Sequence, residues 1–485
     1  MPQNLFSEES FLFLQVDSLC HGAPVTCPPE TEVVEAARLM RQHDSSGVVV
    51  VEDGRPLGVI TVSDLRNLIV DSGGNVSGRQ VREVMSRGLI SVRSRDLVVE
   101  AIFRMAKHNI HRVTVLDDDG RLRGAITDAD LLRLQTRTPI YLNQEIEAAT
   151  SVEQLARISA RMVDMVSFAA RAGTEIKSLV ELISHLNDAF TLRIIALMES
   201  QEGIRLPAGA AYLALGSEGR GEQTLRTDQD SAIIHADDLA PPQLAEIERF
   251  SIRLVEALEQ IGVPRCPGDT MASNPQWRHS LSEWKALLGQ WINVPKPEHM
   301  VNFGMFQDFR TIHGDPALEA ELRAHLLAET QRCSLFFLYV ARHIVRFPPP
   351  VGMFGHIRTE RRGEHRGEVD LKKAGIFAVT EGASLLALES GATGGSTWEK
   401  LELLSQRGIL PARDVAIVEQ AYSYLVRLRL QRQLRSIEAG KPPSNYLNPL
   451  AIPDVERDQL RQALKGVATF LRILRVRFKL DSISR

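Results

Sequence analysis

The chain has 485 residues, room for about three domains at roughly 100 to 200 residues each. At 44% hydrophobic and 24% charged it has the composition of an ordinary globular protein, and a net charge of −4 gives no global reason to expect a nucleic-acid or anionic-membrane partner. Cys20, Cys27, Cys266 and Cys333 are scattered without a CxxC pair, which argues against a disulfide framework or a zinc site and fits a reducing compartment.

No apolar run reaches the length of a bilayer span; the best, Ser334 to Val345, is short and contains Arg342. The N-terminus lacks a basic stretch ahead of Phe11 to Leu14, so that segment does not read as a signal peptide. The cytoplasm is the expected location, with no membrane partner.

From about Asp17 to Arg137 the chain repeats itself. TEVVEAARLMRQHDSSGVVVVEDGRPLGVIT, from Thr31, can be laid on DLVVEAIFRMAKHNIHRVTVLDDDGRLRGAIT, from Asp96, with one extra Asp in the second turn. Each copy predicts a helix ending near His43 or His108 and then an apolar strand. An Asp-Gly turn (Asp53-Gly54, Asp119-Gly120), a second strand closing on Gly-x-Ile-Thr, and a helix follow. The strand-to-helix junctions, Thr61-Val-Ser-Asp64 and Thr127-Asp-Ala-Asp130, place a hydroxyl three residues before a carboxylate. Such a pair can accept from the hydroxyls of a ribose; equally, Asp64 and Asp130 can be helix N-terminal acids and no more.

Residues from Pro139 to about Gln201 are helical in pattern, with Leu155, Ile158, Met162 and Met165 recurring at three- and four-residue steps and Leu179, Leu182, Ile183 and Leu186 in a second segment. A packed helical hairpin is the simpler expectation; a coupling arm between domains is the other.

The stretch with most chemistry is Leu213 to Ile234, LALGSEGRGEQTLRTDQDSAII. An apolar strand breaks at Gly216-Ser217 and a second begins with Asp228 and Asp230. Residues two apart on a strand share a face, so both carboxylates point to one side of the sheet. Two such groups repel unless a cation lies between them, and Mg²⁺ (or Mn²⁺) is a hard ion suited to carboxylates plus phosphate oxygens. Gly216 lets backbone approach a ligand, Ser217 offers its hydroxyl and N–H to a phosphate, and Arg220 is a natural counter-charge.

Further along, Pro241 to Ile261 reads as an amphipathic helix, and Trp277, Trp284 and Trp291, seven apart, read as a packing stripe on one helix face. Asn274 before Pro275 is a helix-start signal, although Asn274 and Arg278 could also approach a nucleotide. Met300 to Thr311 is expected to be a strand, Val301, Phe303, Met305 and Phe309 on one face and Asp308 and Arg310 on the other. After Asp315 nearly every segment is helical. Ala317 to Val345 reads as one long run stopped by Pro348-Pro-Pro350, and Lys372 and Lys373 lead into an apolar segment from Ala374 at a face able to meet a triphosphate. Arg413 to Ala439 and Asp454 to Phe478 are the last long helices.

Gly-Ser followed about ten residues later by Asp-x-Asp resembles the nucleotidyltransferase superfamily of DNA polymerase β, and GSEGRGEQTLRTDQDSA looks like its branch related to the N-terminal domain of PII-protein uridylyltransferase. The N-terminal repeat looks like a tandem of CBS (cystathionine-β-synthase-type) domains, modules often joined to enzymes of that branch. The resemblance implies an α+β multidomain chain: a tandem CBS module of βαββα type (17–137), a helical linker (138–206), a polymerase β-like α/β catalytic domain (207–314), and a helical C-terminal domain shaping the substrate cleft (315–485). It further implies Asp228, Asp230 and Asp308 as catalytic metal ligands, Asp308 serving as third ligand or base, and Gly216, Ser217, Arg220, Lys372 and Lys373 as the contacts of a nucleoside triphosphate. Thr61, Asp64, Thr127 and Asp130 would hold AMP, ADP or ATP, and the CBS pair suggests a homodimer.

No HD-type phosphohydrolase signature and no amino-acid-sensing repeats are visible, so PII as acceptor is not implied. The expected activity is transfer of a nucleoside monophosphate from a triphosphate to a protein or small-molecule hydroxyl; the alternative is a non-catalytic, nucleotide-sensing protein that keeps the transferase fold.

Overall fold

The computed structural model describes residues 15–482 apart from 21–23, 44, 109, 128–129, 131–138, 226–227, 295 and 353–355. The chain divides into two compact units, Met1–Leu142 and Asn143–Arg485.

In the first unit the repeat is a structural one. Strands β1 (Thr26–Cys27), β2 (Gly47–Glu52), β3 (Arg55–Thr61) and β4 (Ser86–Arg87) form one sheet in that order, and β5 (Ser91–Arg93), β6 (Arg112–Leu116) and β7 (Leu122–Thr127) form another. Each has a parallel first pair and an antiparallel second pair, β1–β2–β3 matching β5–β6–β7. The β2–β3 hairpin turns on Asp53 and Gly54, both at positive φ, the geometry an Asp-Gly two-residue turn supplies. Val48 and Val50 on β2 are fully buried against the helix Val33–Gln42, each contributing roughly 1.5–3 kcal/mol of burial, and Val49 between them is buried on the opposite face. The two copies touch directly: Arg112 donates to Gly47 O at 3.1 Å and the Leu122 N–H to Gly54 O at 3.2 Å. The helix expected after Thr127 falls mostly outside the described residues.

The second unit is built on a mixed four-stranded sheet, β8 (Ala210–Ala214), β9 (Ser231–His235), β10 (Arg278–Ser280) and β11 (Arg310–Gly314), in the order β10-β9-β8-β11. The central pair β8–β9 is antiparallel and wholly apolar apart from Ser231 and His235, as a strand pair buried on both faces must be. A helical hairpin, Val152–Arg171 and Ile176–Leu197, packs on this sheet. Its second helix holds the loop after β8, Ser184 accepting from the Gln223 N–H at 2.9 Å and Asn187 donating to Gln223 at 3.0 Å. Helices from Pro316 onward form the rest, with Phe377–Glu389 buried almost all round between Ser334–Ile344, Thr397–Gln406 and Asp454–Arg477.

Three local expectations are corrected. Met300 to Thr311 is not a strand: residues 297–306 are helical, and extended structure begins only at Arg310. Pro297 starts the helix, and Met300, Phe303 and Phe306, three apart, form its buried face. Ala317 to Val345 is two helices broken at Cys333. Trp277 lies in a single turn ahead of β10 and not on the helix of Trp284 and Trp291, yet all three rings gather round Phe306, with Trp284 stacked on it at 4.3 Å. The Trp284 indole N–H donates to Ile233 O at 2.9 Å, fixing this nest against the central strand.

Candidate functional site

The turn after β8 is shaped by its glycines. Gly216 has φ +53°, and a side chain there would stand 3.3 Å from Asp230 Oδ2. At Gly219 a β-carbon would lie 1.8 Å from Asp308 O, so the turn and the chain ahead of β11 can touch only if residue 219 has no side chain. Between them Ser217 and Glu218 make a single helical turn, with the Leu215 N–H bonded to Asp230 O at 2.9 Å.

Asp228 and Asp230 immediately precede β9 in extended chain, and Gln229 between them shows which way each points. Its side chain is buried and donates to Val255 O at 3.2 Å and Val263 O at 2.9 Å, on the helix side, so the two aspartates face the opposite way. Asp230 Oδ1 is buried with no hydrogen-bond partner among the described residues. Burial pushes the Asp230 carboxyl up to about 6, against the downward pull of a bond from the Cys266 thiol and of the Lys372 charge; burial also raises Asp228, opposed by Lys372 and Arg429. A buried carboxylate oxygen with nothing to bind is costly as it stands, and a divalent cation with phosphate oxygens is the partner that such a pair fits.

A cleft of about 150 Å³ opens in front of this turn, lined by Gly216, Ser217, Arg220 and Asp230 on one wall and by Lys372, Glu381 and Arg429 on the other. Lys372 is exposed toward it, and Arg429, buried, is anchored through Nε to Asn445 at 2.7 Å. Glu381 is buried as well: its Oε2 accepts from Gln307 at 2.7 Å, Gly304 leaves room beside it, and burial pushes its carboxyl up to about 7.

Not every expected residue joins this group. Asp308 precedes β11 near Gly219, but it is fully occupied: Lys400 Nζ donates to Oδ1 at 2.5 Å, and Arg220 (3.1 Å) and Ser384 (3.0 Å) donate to Oδ2. Burial alone would raise its carboxyl, but Lys400 and Arg220 outweigh it and hold the group below the usual carboxylate range. Among the described residues no cluster of three His, Cys, Asp or Glu side chains could hold a metal. The expectation of Asp308 as third ligand or base is thus corrected, because the protein itself supplies its counter-charges. Arg220 is drawn into the same network, its Nε on Glu222 at 2.9 Å, and Glu222 also accepts from Thr397 Oγ1 and Tyr422 at 3.0 Å each. Lys373 turns away from the cleft and is 3.7 Å from Asp370.

Asn274 caps the turn Pro275–Trp277 by accepting from the Gln276 N–H, and Arg278 binds the carbonyls of Ala272 and Ser273, so both have structural work. In the first unit, Thr61 with Asp64 and Thr127 with Asp130 each form a reciprocal capping bond: hydroxyl to Oδ2 at 2.7 Å in both, and the threonine N–H to the same oxygen at 2.8 and 2.9 Å.

Sequence reasoning missed Glu222, Glu381, Lys400, Tyr422 and Arg429. Three carried a readable signal, a charge on an otherwise apolar helix face: Glu381 in FAVTEGASLLALE, Lys400 between Thr397 and Leu401, and Arg429 in step with Tyr422 and Leu425.

The cleft is thus walled by the Gly-Ser turn and Asp230 on one side and by the helical cations Lys372 and Arg429 on the other. In family comparison, the model described as "Putative nucleotidyltransferase DUF294" matches residues 160–298, and the one described as "Putative nucleotidyltransferase substrate binding domain" matches residues 334–478. CBS domains match residues 16–71 and 81–137, so the chain is a CBS-domain protein carrying nucleotidyltransferase-type domains.

Curated relatives share only part of it. The uncharacterized protein MK0525 of Methanopyrus kandleri is 33% identical over 124 residues, 25% of this chain and 63% of that protein. The inosine-5'-monophosphate dehydrogenase of Mycobacterium tuberculosis (strain H37Rv) is 27% identical over 200 residues, 40% of this chain and 35% of the enzyme. Among solved structures, the CBS domain pair of protein MJ0100, in complex with 5-methylthioadenosine and S-adenosyl-L-methionine, is 26% identical with a TM-score of 0.23, covering 25% of this chain and 98% of that one. The CBS domain protein PAE2072 from Pyrobaculum aerophilum, complexed with AMP, is 24% identical with a TM-score of 0.23, covering 25% and 99%. Among the described residues no helix is long and apolar enough to cross a membrane.

Proposed function

We propose that the chain is a divalent-cation-dependent nucleotidyltransferase that moves a nucleoside monophosphate from a triphosphate to an acceptor hydroxyl. The observation that carries this reading is the Asp230 carboxylate, two residues from Asp228: its Oδ2 lies beside Gly216, and its buried Oδ1 has no hydrogen-bond partner among the described residues. Asp228 and Asp230 would hold Mg²⁺ or Mn²⁺, which when bound supplies Lewis-acid polarisation of the α-phosphate. Ser217 and the backbone at Gly216 receive phosphate oxygens, and Lys372 and Arg429 offset the charge of the triphosphate.

The acceptor oxygen forms a bond to the α-phosphorus, the bond from that phosphorus to the bridging oxygen breaks, and pyrophosphate leaves. The hydroxyl proton goes to Glu381, the cleft carboxyl without a cation partner that burial tunes to about 7, close to the value a general base needs. Asp308 and Glu222 are saturated with donors and serve instead to fix Arg220 and the turn it belongs to. A uridylyltransferase-like choice of base and control by an adenine nucleotide at Thr61, Asp64, Thr127 and Asp130 are the finer parts of this reading. The second rests on the CBS match and on the likeness of the two strand-to-helix junctions.

The test is transfer of label from each of the four ribonucleoside α-labelled triphosphates, with Mg²⁺ or Mn²⁺, into the acceptors of a cell extract. Incorporation by the unmodified protein and its loss in Asp230→Asn support the reading. No incorporation from any of the four overturns it and leaves a nucleotide-binding protein without transfer activity.

A further inference from the structure

A second hollow, of about 660 Å³, lies on the other side of the segment that carries Lys372. Its walls are Arg346 to Pro350, Arg358 to Arg362, and Glu368 to Ala374. The backbone there is pinned: the Arg358 N–H donates to Pro350 O at 2.8 Å, Glu360 to Glu368 O at 2.8 Å, and Gly367 to Glu360 O at 2.9 Å. The groove is therefore a formed feature.

Its charge is lopsided. Arg346, Arg358, Arg361 and Arg362 line it with no carboxylate within ion-pair distance among the described residues, and Lys373 adds a fifth cation. Three acids share the groove: Glu360, which offsets part of the charge, and Glu368 and Asp370, which are engaged by other groups. Glu368 is 2.9 Å from His365 and 3.9 Å from Arg432, and Asp370 accepts from the Lys372 and Lys373 N–H groups at 3.0 and 3.3 Å. Five cations against three acids, with the four guanidinium forks outside any ion pair among the described residues, leave the groove with a net positive charge that favours anions.

We propose that this groove docks an acidic polypeptide segment of the acceptor, so that the substrate class of the transferase is a protein with a Glu- or Asp-rich stretch near the modified hydroxyl. Three features favour a polypeptide over a compact anion. The arginines come from two separate stretches of chain, Arg346 from one and Arg358, Arg361 and Arg362 from the other, along an open groove. Phe347, Pro348 and Pro350 lie among them with exposed apolar surface and suit apolar side chains between acidic ones. Lys372 and Lys373 are adjacent and open one to the cleft and one to the groove, so a chain seated in the groove has only the width of that segment to cross. Docking is a property of the groove alone; the word acceptor rests on the transferase reading.

Fluorescence anisotropy of the full chain with a labelled Glu-Ala-Tyr peptide tests the proposal, with a Lys-Ala-Tyr peptide, inorganic tripolyphosphate and oligouridylate as comparisons. The Glu peptide is expected to bind, to weaken with added salt, and to lose about tenfold or more in affinity in Arg361→Glu/Arg362→Glu. Both positions are exposed, so the fold is not at stake, and Arg38→Glu/Arg79→Glu, on the first unit, controls for net charge and should bind as the unmodified chain does. Equal affinity in the groove variant and the unmodified chain overturns the proposal. So does displacement of the peptide by tripolyphosphate or oligouridylate at concentrations below those at which the peptide itself competes, which assigns the groove to phosphates or to RNA. None of these outcomes bears on nucleotide transfer, which fails or stands by the labelled-triphosphate assay.

Discussion

Two sets of carboxylates flank the Gly-Ser turn, Asp230 beside Gly216 and Asp308 beside Gly219, and have opposite surroundings. Asp308 and Glu222 are fully buried, each meeting a cation and two or more further donors, and Asp308 is held below its ordinary pKa. Asp228 and Asp230 are held above theirs, and one oxygen of Asp230 has no partner among the described residues. The first set is finished by the protein and has no capacity left for a ligand. The second is left incomplete, and incompleteness of this kind is how a scaffold reserves a place for a cation and a substrate.

The sharpest way to break this contrast is to remove the incomplete set. Asp228→Asn with Asp230→Asn should take nucleotide transfer to the background of the assay, a fall of about a thousandfold or more, while far-ultraviolet circular dichroism is unchanged. The fold should gain. The folded Asp230 carboxyl titrates near 6 against an ordinary 3.8, so the native state holds its proton more tightly and loses stability as pH rises between those values. Asp230→Asn alone, at pH 7, should therefore raise the urea unfolding free energy by about 1–3 kcal/mol; a loss of stability would contradict the net cost of burying that carboxylate in its charged form.

The complete set should behave in reverse. Lys400→Met leaves the buried Asp308 charge with Arg220 as its one cation among the described residues and should destabilise the second unit by about 3 kcal/mol, read by denaturant unfolding; a change below about 1 kcal/mol would mean the pair is not a structural one.

pH separates the two groups more gently. Transfer should fall as pH drops below about 7, where Glu381 takes up its own proton, and again below about 6, where Asp230 does. Glu381→Gln should lower kcat with little change in KM for the triphosphate and erase the upper limb only. If His343→Gln erases that limb instead, the proton acceptor is the imidazole on the same wall of the cleft.

The smallest effect is expected in the first unit. Thr61→Ala removes a helix cap and should cost about 1 kcal/mol, by thermal unfolding. The same substitution, and Asp130→Ala, should weaken AMP in calorimetry if these junctions also hold a ribose.

The tandem repeat, the helical hairpin and the central strand pair were legible because each depends on local pattern: a repeat that aligns with itself, apolar steps of three and four, and an apolar run broken by Gly-Ser. The Met300 segment was misread because Val301, Phe303 and Met305 alternate while Met300, Phe303 and Phe306 recur at three, and in so short a run only Pro297 decided between strand and helix. The fate of Asp308 could not be read at all. Its partners lie at Arg220, Ser384 and Lys400, and which of several carboxylates meets the buried lysine is settled by how the last helices pack. Arg429 and Glu381 were overlooked for a different reason: each is a lone charge on an apolar face, a pattern visible in the sequence but without a partner to point to until the fold brought the cleft together.

The aromatic nest around Phe306 has a practical consequence. All four tryptophans of the chain, Trp277, Trp284, Trp291 and Trp398, belong to the second unit, three of them in van der Waals company behind the strand that follows Asp230. Intrinsic emission excited at the red edge is therefore a native, label-free dye for that unit alone. Melting or ligand uptake in the N-terminal repeat is spectroscopically dark unless it perturbs the other half, so an emission change on adding AMP that is lost in Asp130→Ala is an optical readout of communication along the chain.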